Sequence, residues 1–130
     1  MGIRARAATL PELAIVAGEG LYVVIGELVP ARGTAGEPRE FQIELHHADN
    51  AVVLRDYLDE LLVLFDRDHR IVTVANVSTF EEGRLVAILE TALVDHKRSV
   101  YHHEVKAITY HELDIRQIPG GFEAAVIVDI

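Results

Sequence analysis

The chain has 130 residues, enough to bury a core and to fold as one domain over residues 1–130 without disulfides. It contains no cysteine, which excludes disulfide frameworks, thiolate zinc sites and cysteine nucleophiles. Its 12 basic and 21 acidic residues give a net charge of -9, which disfavours direct binding of nucleic acid. Because the sequence shows no leader pattern and no long apolar run, we expect a cytoplasmic protein that does not enter membranes.

The first predicted elements are a short strand and a helix. Residues Ile3–Arg6 alternate between apolar and polar side chains, which is typical of a strand. Thr9–Glu12 provides a capping hydroxyl, an early proline and a glutamate at the third helical position, and these begin a helix. Apolar residues at helical spacing extend this helix to Leu28, and the glycine- and proline-rich residues 30–38 form a loop.

A second strand and a longer helix follow. Phe41, Ile43 and Leu45 alternate with polar residues as a half-buried strand. Asp49 or Asn50 then caps a helix whose apolar stripe gives the clearest helical period in the chain. The face beside that stripe carries the acidic residues Asp56, Asp59 and Glu60, which we interpret as a solvated surface.

The second half of the chain is predicted to consist of strands. Ile71–Phe80 and Leu85–Val94 form a hairpin around the turn Glu81–Gly83. A polar loop, Asp95–His103, leads into two more alternating runs joined by the turn Pro119–Gly121. The order β-α-β-α-β-β-β-β predicts an α+β fold in which two helices pack on a mostly antiparallel sheet.

The end of the chain carries the sharpest chemical signal. The last strand places the Asp129 side chain beside the carboxylate of Ile130, and paired oxygen anions are ligands that Ca²⁺ and Mg²⁺ prefer. Lys106 begins the strand expected to pair with this one, where it could contact a phosphate. Alternation places Asp129 on the same face as apolar side chains and predicts partial burial. The alternative interpretation is a solvated aspartate at a strand end and an ordinary surface lysine.

The seven histidines do not indicate a metal or catalytic site. His46-His47 and His102-His103 are adjacent pairs whose rings would point to opposite faces of an extended chain. His111 is expected to be half-buried on a strand. No zinc-protease, nucleophile-elbow or P-loop motif occurs, so nothing in the sequence indicates an enzyme.

Several stretches of the sequence resemble the archease family. They are EVKAITYH at Glu104–His111, the ending VIVDI, GIRARAATLPEL near the start, and LRDYLDELLVLFD in the second helix. The resemblance implies a small α+β protein that activates the GTP-dependent RNA-splicing ligase without being an enzyme. It would promote guanylylation of the ligase and its multiple turnover in tRNA splicing or RNA repair.

The resemblance also implies a site for a divalent metal, Ca²⁺ or Mg²⁺. In the family a terminal aspartate and the α-carboxylate bind the ion together with an aspartate of an N-terminal HTAD motif, and the lysine of the KAxTYH stretch is required. The corresponding residues are Asp129, Ile130 and Lys106. HTAD would stand directly before Met1, so we expect the natural start to lie roughly ten residues upstream and the metal site to be incomplete in this sequence. Ser99 stands where the family has a histidine, which leaves the role of its loop open.

Two other functions remain open from the residues alone. A chaperone-like, protein-binding module would act without metal and would not depend on Asp129. A metal-dependent hydrolase using the same carboxylates would turn over phosphoesters without any ligase, but the sequence offers no base for it.

Overall fold

The computed structural model describes residues 1–130 and contains two α-helices and nine strands. The helices are α1 (Leu10–Ile25) and α2 (Asn50–Asp68). The strands are β1 (Gly2–Ala7), β2 (Gly26–Glu27), β3 (Arg39–His46), β4 (Arg70–Glu81), β5 (Arg84–Leu93), β6 (Val100–Tyr101), β7 (Ala107–Ile108), β8 (Asp114–Ile118) and β9 (Gly121–Asp129). Neither helix combines the length and apolar character needed to cross a bilayer.

Helix α1 begins as its sequence predicts and ends earlier. The Thr9 hydroxyl accepts a hydrogen bond from the backbone of Glu12, which satisfies one free amide of the first turn. The prediction that the helix reaches Leu28 was wrong, because Gly26 leaves the helix and pairs with Tyr101 in a two-stranded sheet. Helical periodicity continues past Ile25, but the backbone there forms strand β2 instead.

Helix α2 matches its predicted extent. The Asp49 side chain accepts a hydrogen bond from the backbone of Ala51 at 2.8 Å, so Asp49 is the cap and Asn50 the first helical residue. The helix ends at His69, which adopts a left-handed conformation with φ 55°. Its buried face carries Val53, Leu54, Tyr57, Leu58, Leu61 and Leu62.

The strands form two main antiparallel sheets. One has the order β3-β5-β4, and it contains the predicted hairpin, which turns at Glu82 and Gly83 with positive φ at both residues. In the other sheet β9 is central, with β1 on one side and β7 and β8 in succession along the other. The small sheet β2-β6 had no counterpart among the predicted strands.

The strand predicted before the Pro119–Gly121 turn is in fact two strands. The chain turns between β7 and β8, where Glu112 has a φ of 50° and the Leu113 amide donates to the Tyr110 carbonyl at 3.4 Å. His111 lies in this turn and is exposed, so its predicted half-burial was wrong. A residue in the left-handed region interrupts a strand, which separates β7 from β8.

The core lies where the helices meet the sheets. Helix α1 contacts β1, β9 and β4, and helix α2 contacts β4 in one sheet and β7 in the other. The largest side chains that are wholly buried include Tyr57, Leu13, Leu21, Ile25, Leu54 and Leu58. Each such side chain contributes about 1.5–3 kcal/mol through removal of apolar surface from water. Two helices on mostly antiparallel sheets form the predicted α+β architecture.

Candidate functional site

The candidate site is the end of β9, where Asp129 and Ile130 lie. The strand buries Ala124, Val126 and Val128, each 1% exposed, against the helices. Asp129 points to the opposite face and is exposed, so the prediction of its partial burial was wrong. Because the Asp129 side chain is exposed, its carboxylate is available to a ligand or a partner.

Neighbouring strands hold this end of β9 on both sides. On one side the backbones of Met1 and Val128 exchange hydrogen bonds of 3.0 and 2.8 Å. On the other side the Lys106 amide donates to the Asp129 carbonyl at 2.7 Å, and Ala107 stands opposite Asp129. The prediction that the strand after Lys106 pairs with the strand bearing Asp129 is confirmed. This pairing fixes the backbone of β9 up to the last residue of the strand, Asp129.

The backbone of Lys106 lies beside the two final residues, but its side chain forms no ion pair with them. The register that pairs Ala107 with Asp129 puts Lys106 next to Ile130. Lys106 is exposed, and none of the ion pairs of the structure includes it. Its ammonium group is free to meet an anion supplied by another molecule.

Arg55 of helix α2 ties the short strand β7 to the body of the protein. Its Nε donates to the Ile108 carbonyl at 2.9 Å, and its guanidinium lies 4.6 Å from the centre of the Tyr110 ring. Asp56 and Asp59 form ion pairs with the guanidinium, with nitrogen–oxygen distances of 3.1 and 3.8 Å. This role was not predicted from the sequence, since both aspartates were expected on a solvated face. The spacing of Arg55 and Asp59, which predicts a helical ion pair, was the available signal.

A second charged group lies on the same face of β9 as Asp129. Glu123 is 4% exposed and accepts hydrogen bonds from Arg6 of β1 and Arg116 of β8. Arg6, and then Arg116, hold the pKa of Glu123 below its ordinary value, since their hydrogen bonds favour the charged form. Arg4 lies on this face as well, exposed and in no ion pair.

The residues of the candidate site supply part of a metal-binding set. No group of three or more His, Cys, Asp or Glu side chains lies close enough together to hold an ion. The Asp129 side chain and the Ile130 carboxylate are hard oxygen donors of the kind that suit Ca²⁺ or Mg²⁺. They fit such an ion as two of its ligands, and water or a phosphate would have to complete its coordination. Lys106 could contact the same phosphate.

A family model, two relatives and two solved structures match this chain over all or nearly all of its length. The model of the family described as Archease protein family (MTH1598/TM1083) matches residues 1–130. The archease of Thermococcus gammatolerans is 34% identical over 125 residues, which are 93% of this chain and 84% of that protein. The archease of Methanopyrus kandleri is 29% identical over 131 residues, covering 98% of this chain and 90% of that protein.

Two solved structures share the fold. A Thermotoga maritima archease, described as a possible chaperone, superposes with a TM-score of 0.73 at 14% identity over 100% of this chain and 90% of its own. Methanobacterium thermoautotrophicum protein 1598 superposes with a TM-score of 0.69 at 24% identity over 99% of this chain and 91% of its own. These likenesses confirm the predicted α+β fold.

Proposed function

Because this chain belongs to the archease family, we propose that it activates the GTP-dependent RNA-splicing ligase and is not an enzyme itself. It would promote guanylylation of the ligase and its repeated turnover in tRNA splicing or RNA repair. The observation that supports this best is the placement of Asp129, Ile130 and Lys106 at one ordered, exposed strand end. Two anions and a cation there can meet a metal ion and a phosphate on a partner.

A divalent ion at Asp129 and Ile130 would supply positive charge for phosphate oxygens at the nucleotide-binding centre of the ligase. The chain's own part is to present these carboxylates at a fixed position and to keep Lys106 beside them. Hydrogen bonds from both flanking strands fix the backbone of Val128 and Asp129, from which these carboxylates extend. Arg55, by holding the Ile108 carbonyl, keeps the strand behind Lys106 in place.

The register of β1 bears on the third ligand that the family uses. Gly2 stands opposite Ile127, and Met1 is hydrogen-bonded to Val128. An aspartate directly before Met1 that continued this strand would therefore face Asp129. Adding His-Thr-Ala-Asp ahead of Met1 is expected to tighten Ca²⁺ or Mg²⁺ binding, because affinity rises with the number of charged ligands.

The charge of the chain also suits this partner. A net charge of -9 attracts a basic, RNA-handling enzyme and repels RNA itself. We therefore propose that the chain binds the ligase and not the RNA.

The test is guanylylation of purified ligase by labelled GTP, with and without this chain. Asp129→Asn and Lys106→Met are each expected to reduce the stimulated rate by about tenfold, the scale seen when a residue supporting a metal site is lost. Glu90→Gln, which removes an exposed carboxylate on β5, is the matched control and should stimulate like the unaltered chain. Equal stimulation by all three variants would refute the proposal. So would the absence of stimulation by both the unaltered chain and a form with His-Thr-Ala-Asp added ahead of Met1.

A chaperone-like role is the second candidate, and the outer face of the β3-β5-β4 sheet favours it. Val74 and Ile88 are 53% and 39% exposed there, and exposed apolar side chains can hold unfolded clients. Such a role would suppress aggregation of unrelated proteins in a light-scattering assay. That suppression would be unchanged by Asp129→Asn and reduced by Ile88→Ser.

A further inference from the structure

A pocket lined by aromatic rings lies between the C-terminal ends of the two helices. Strand β6 contributes Tyr101, and α2 contributes Phe65. The pocket has a volume of about 390 Å³ and is also lined by Ile25, His96, His102, His103 and Glu104. We call it the Tyr101 pocket. It was not predicted from the sequence, which gave its histidines no role.

The rings of the Tyr101 pocket are ordered by their own contacts. The centroids of Phe65 and Tyr101 are 6.2 Å apart, and those of Tyr101 and His96 are 6.0 Å apart. A hydrogen bond joins the Tyr101 hydroxyl to Nδ1 of His96. Tyr101 is nevertheless 46% exposed, so a fixed aromatic face is open to solvent.

The surroundings of the pocket are acidic. Glu104 lines it, Asp66 follows Phe65 in helix α2, and neither carboxylate takes part in any ion pair of the structure. Partial burial raises the pKa of Asp66, and the negative charge of Glu104 raises it further. His69 acts on Asp66 in the opposite direction, but no lysine or arginine pairs with either carboxylate. The two carboxylates therefore favour a positively charged ligand.

The chemistry of the lining narrows the choice of cation. A Ca²⁺ or Mg²⁺ ion is disfavoured because Glu104 is the only carboxylate in the lining, and no three metal-binding side chains converge at the pocket. A nucleotide could stack on Tyr101, but its phosphates would meet the Glu104 carboxylate that lines the pocket. A guanidinium is planar, stacks on aromatic faces and forms paired hydrogen bonds with carboxylates. An arginine side chain therefore matches both the rings and the charges.

We infer that the Tyr101 pocket binds an arginine side chain of a protein partner. The pocket is close to the candidate site, because Glu104 and Lys106 are two residues apart and so at most about 7 Å apart along the chain. A basic partner that reaches Lys106 and Asp129 would also cover the pocket. The inference rests on the proposed function only for the identity of that partner, the RNA ligase.

The pocket is tested first without the ligase. N-acetyl-arginine methylamide is titrated into the isotope-labelled full chain, with N-acetyl-citrulline methylamide as the uncharged analogue of the same shape. Saturable NMR shifts at Phe65, His96 and Tyr101 are expected with arginine and not with citrulline. Tyr101→Ala should abolish them and Tyr101→Phe should retain them. No shifts at these residues, or equal shifts with both compounds, would overturn the inference.

The second measurement is the dissociation constant of the chain and the ligase. Tyr101→Ala should weaken binding by about three- to thirtyfold, the range of a single cation–π contact, whereas Tyr101→Phe and the control Glu90→Gln should leave it unchanged. Ligase binding that Tyr101→Ala does not alter would overturn the assignment of the arginine to the ligase. An unaltered chain that fails to bind the ligase would refute the proposed function, while the arginine titration would still decide the pocket.

Discussion

Replacement of Gly26 by alanine is expected to separate β2 from β6 and to destabilise the protein. A Cβ at Gly26 would lie 2.0 Å from the Val100 carbonyl oxygen, whereas real Cβ contacts are not shorter than 3.0 Å, so the strands would have to move apart by about 1 Å. A hydrogen bond lengthened by that amount is lost. Overpacking of this kind costs about 1–3 kcal/mol, which corresponds to a fall in Tm of roughly 3–12 °C for a chain of this size.

The assay is thermal unfolding followed by circular dichroism at one pH and protein concentration. Gly2→Ala is the matched control, because its Cβ would meet only Ile127 at 3.6 Å, an ordinary contact, and its Tm should stay within about 1 °C of the unaltered chain, the scale of a neutral surface change. Gly26→Ala should also lose the arginine-induced shifts at Tyr101, since Tyr101 is paired with Gly26. A Gly26→Ala variant as stable as the Gly2→Ala control would contradict the close approach on which this reasoning depends.

Three further changes can be checked by stability and exchange measurements. Because the pKa of Glu123 is depressed, the ionised side chain stabilises the fold at pH values above 4.5, its ordinary pKa, and this stabilisation is lost as the pH falls below that value. Glu123→Gln should therefore weaken the dependence of the free energy of unfolding on acidic pH. Burial raises the pKa of Tyr22 from 10.0 to about 12, so the free energy of unfolding falls as the pH rises between these values. Tyr22→Phe should reduce this fall at alkaline pH. Tyr22→Phe should also cost about 1–3 kcal/mol at neutral pH, because the Val72 amide donates to the Tyr22 hydroxyl at 2.9 Å; chemical denaturation with no change in midpoint would refute this. Arg55→Met removes the 2.9 Å hydrogen bond to the Ile108 carbonyl and should speed hydrogen exchange of the β7 amides, whereas exchange at the native rate would exclude Arg55 as their support.

The two strands that form the candidate site could be predicted from the sequence, because they depend on local patterns of residues. The alternation of apolar and polar residues predicted the last strand, and the turn before it indicated which segment would pair with it. The pairing of the strand after Lys106 with β9 is confirmed, whereas the register that sets Ala107 opposite Asp129 was not predicted. Short-range patterns of this kind indicate which segments are strands and which are neighbours. They did not identify the buried face of β9, because Asp129 was expected to be partly buried.

The remaining features depend on contacts between distant segments. The β2-β6 pairing joins Gly26 to Tyr101, and no local pattern distinguishes these short strands from a helix end and a loop. The exposure of Asp129 depends on the absence of a covering element, whereas the sequence shows only apolar neighbours on its face. The contact from Arg55 to Ile108 spans 53 residues. Tertiary packing, and not local preference, decides such features.

The pairing of β1 with β9 bears on the order in which the two sides of this sheet form. The hydrogen bond between Met1 and Val128 joins positions 127 residues apart, so this strand pair closes nearly the largest loop that the chain allows. Loop-closure entropy makes such contacts slow to form. The contact between Lys106 and Asp129 closes a much shorter loop, so β7 is expected to pair with β9 before β1 is added on the other side.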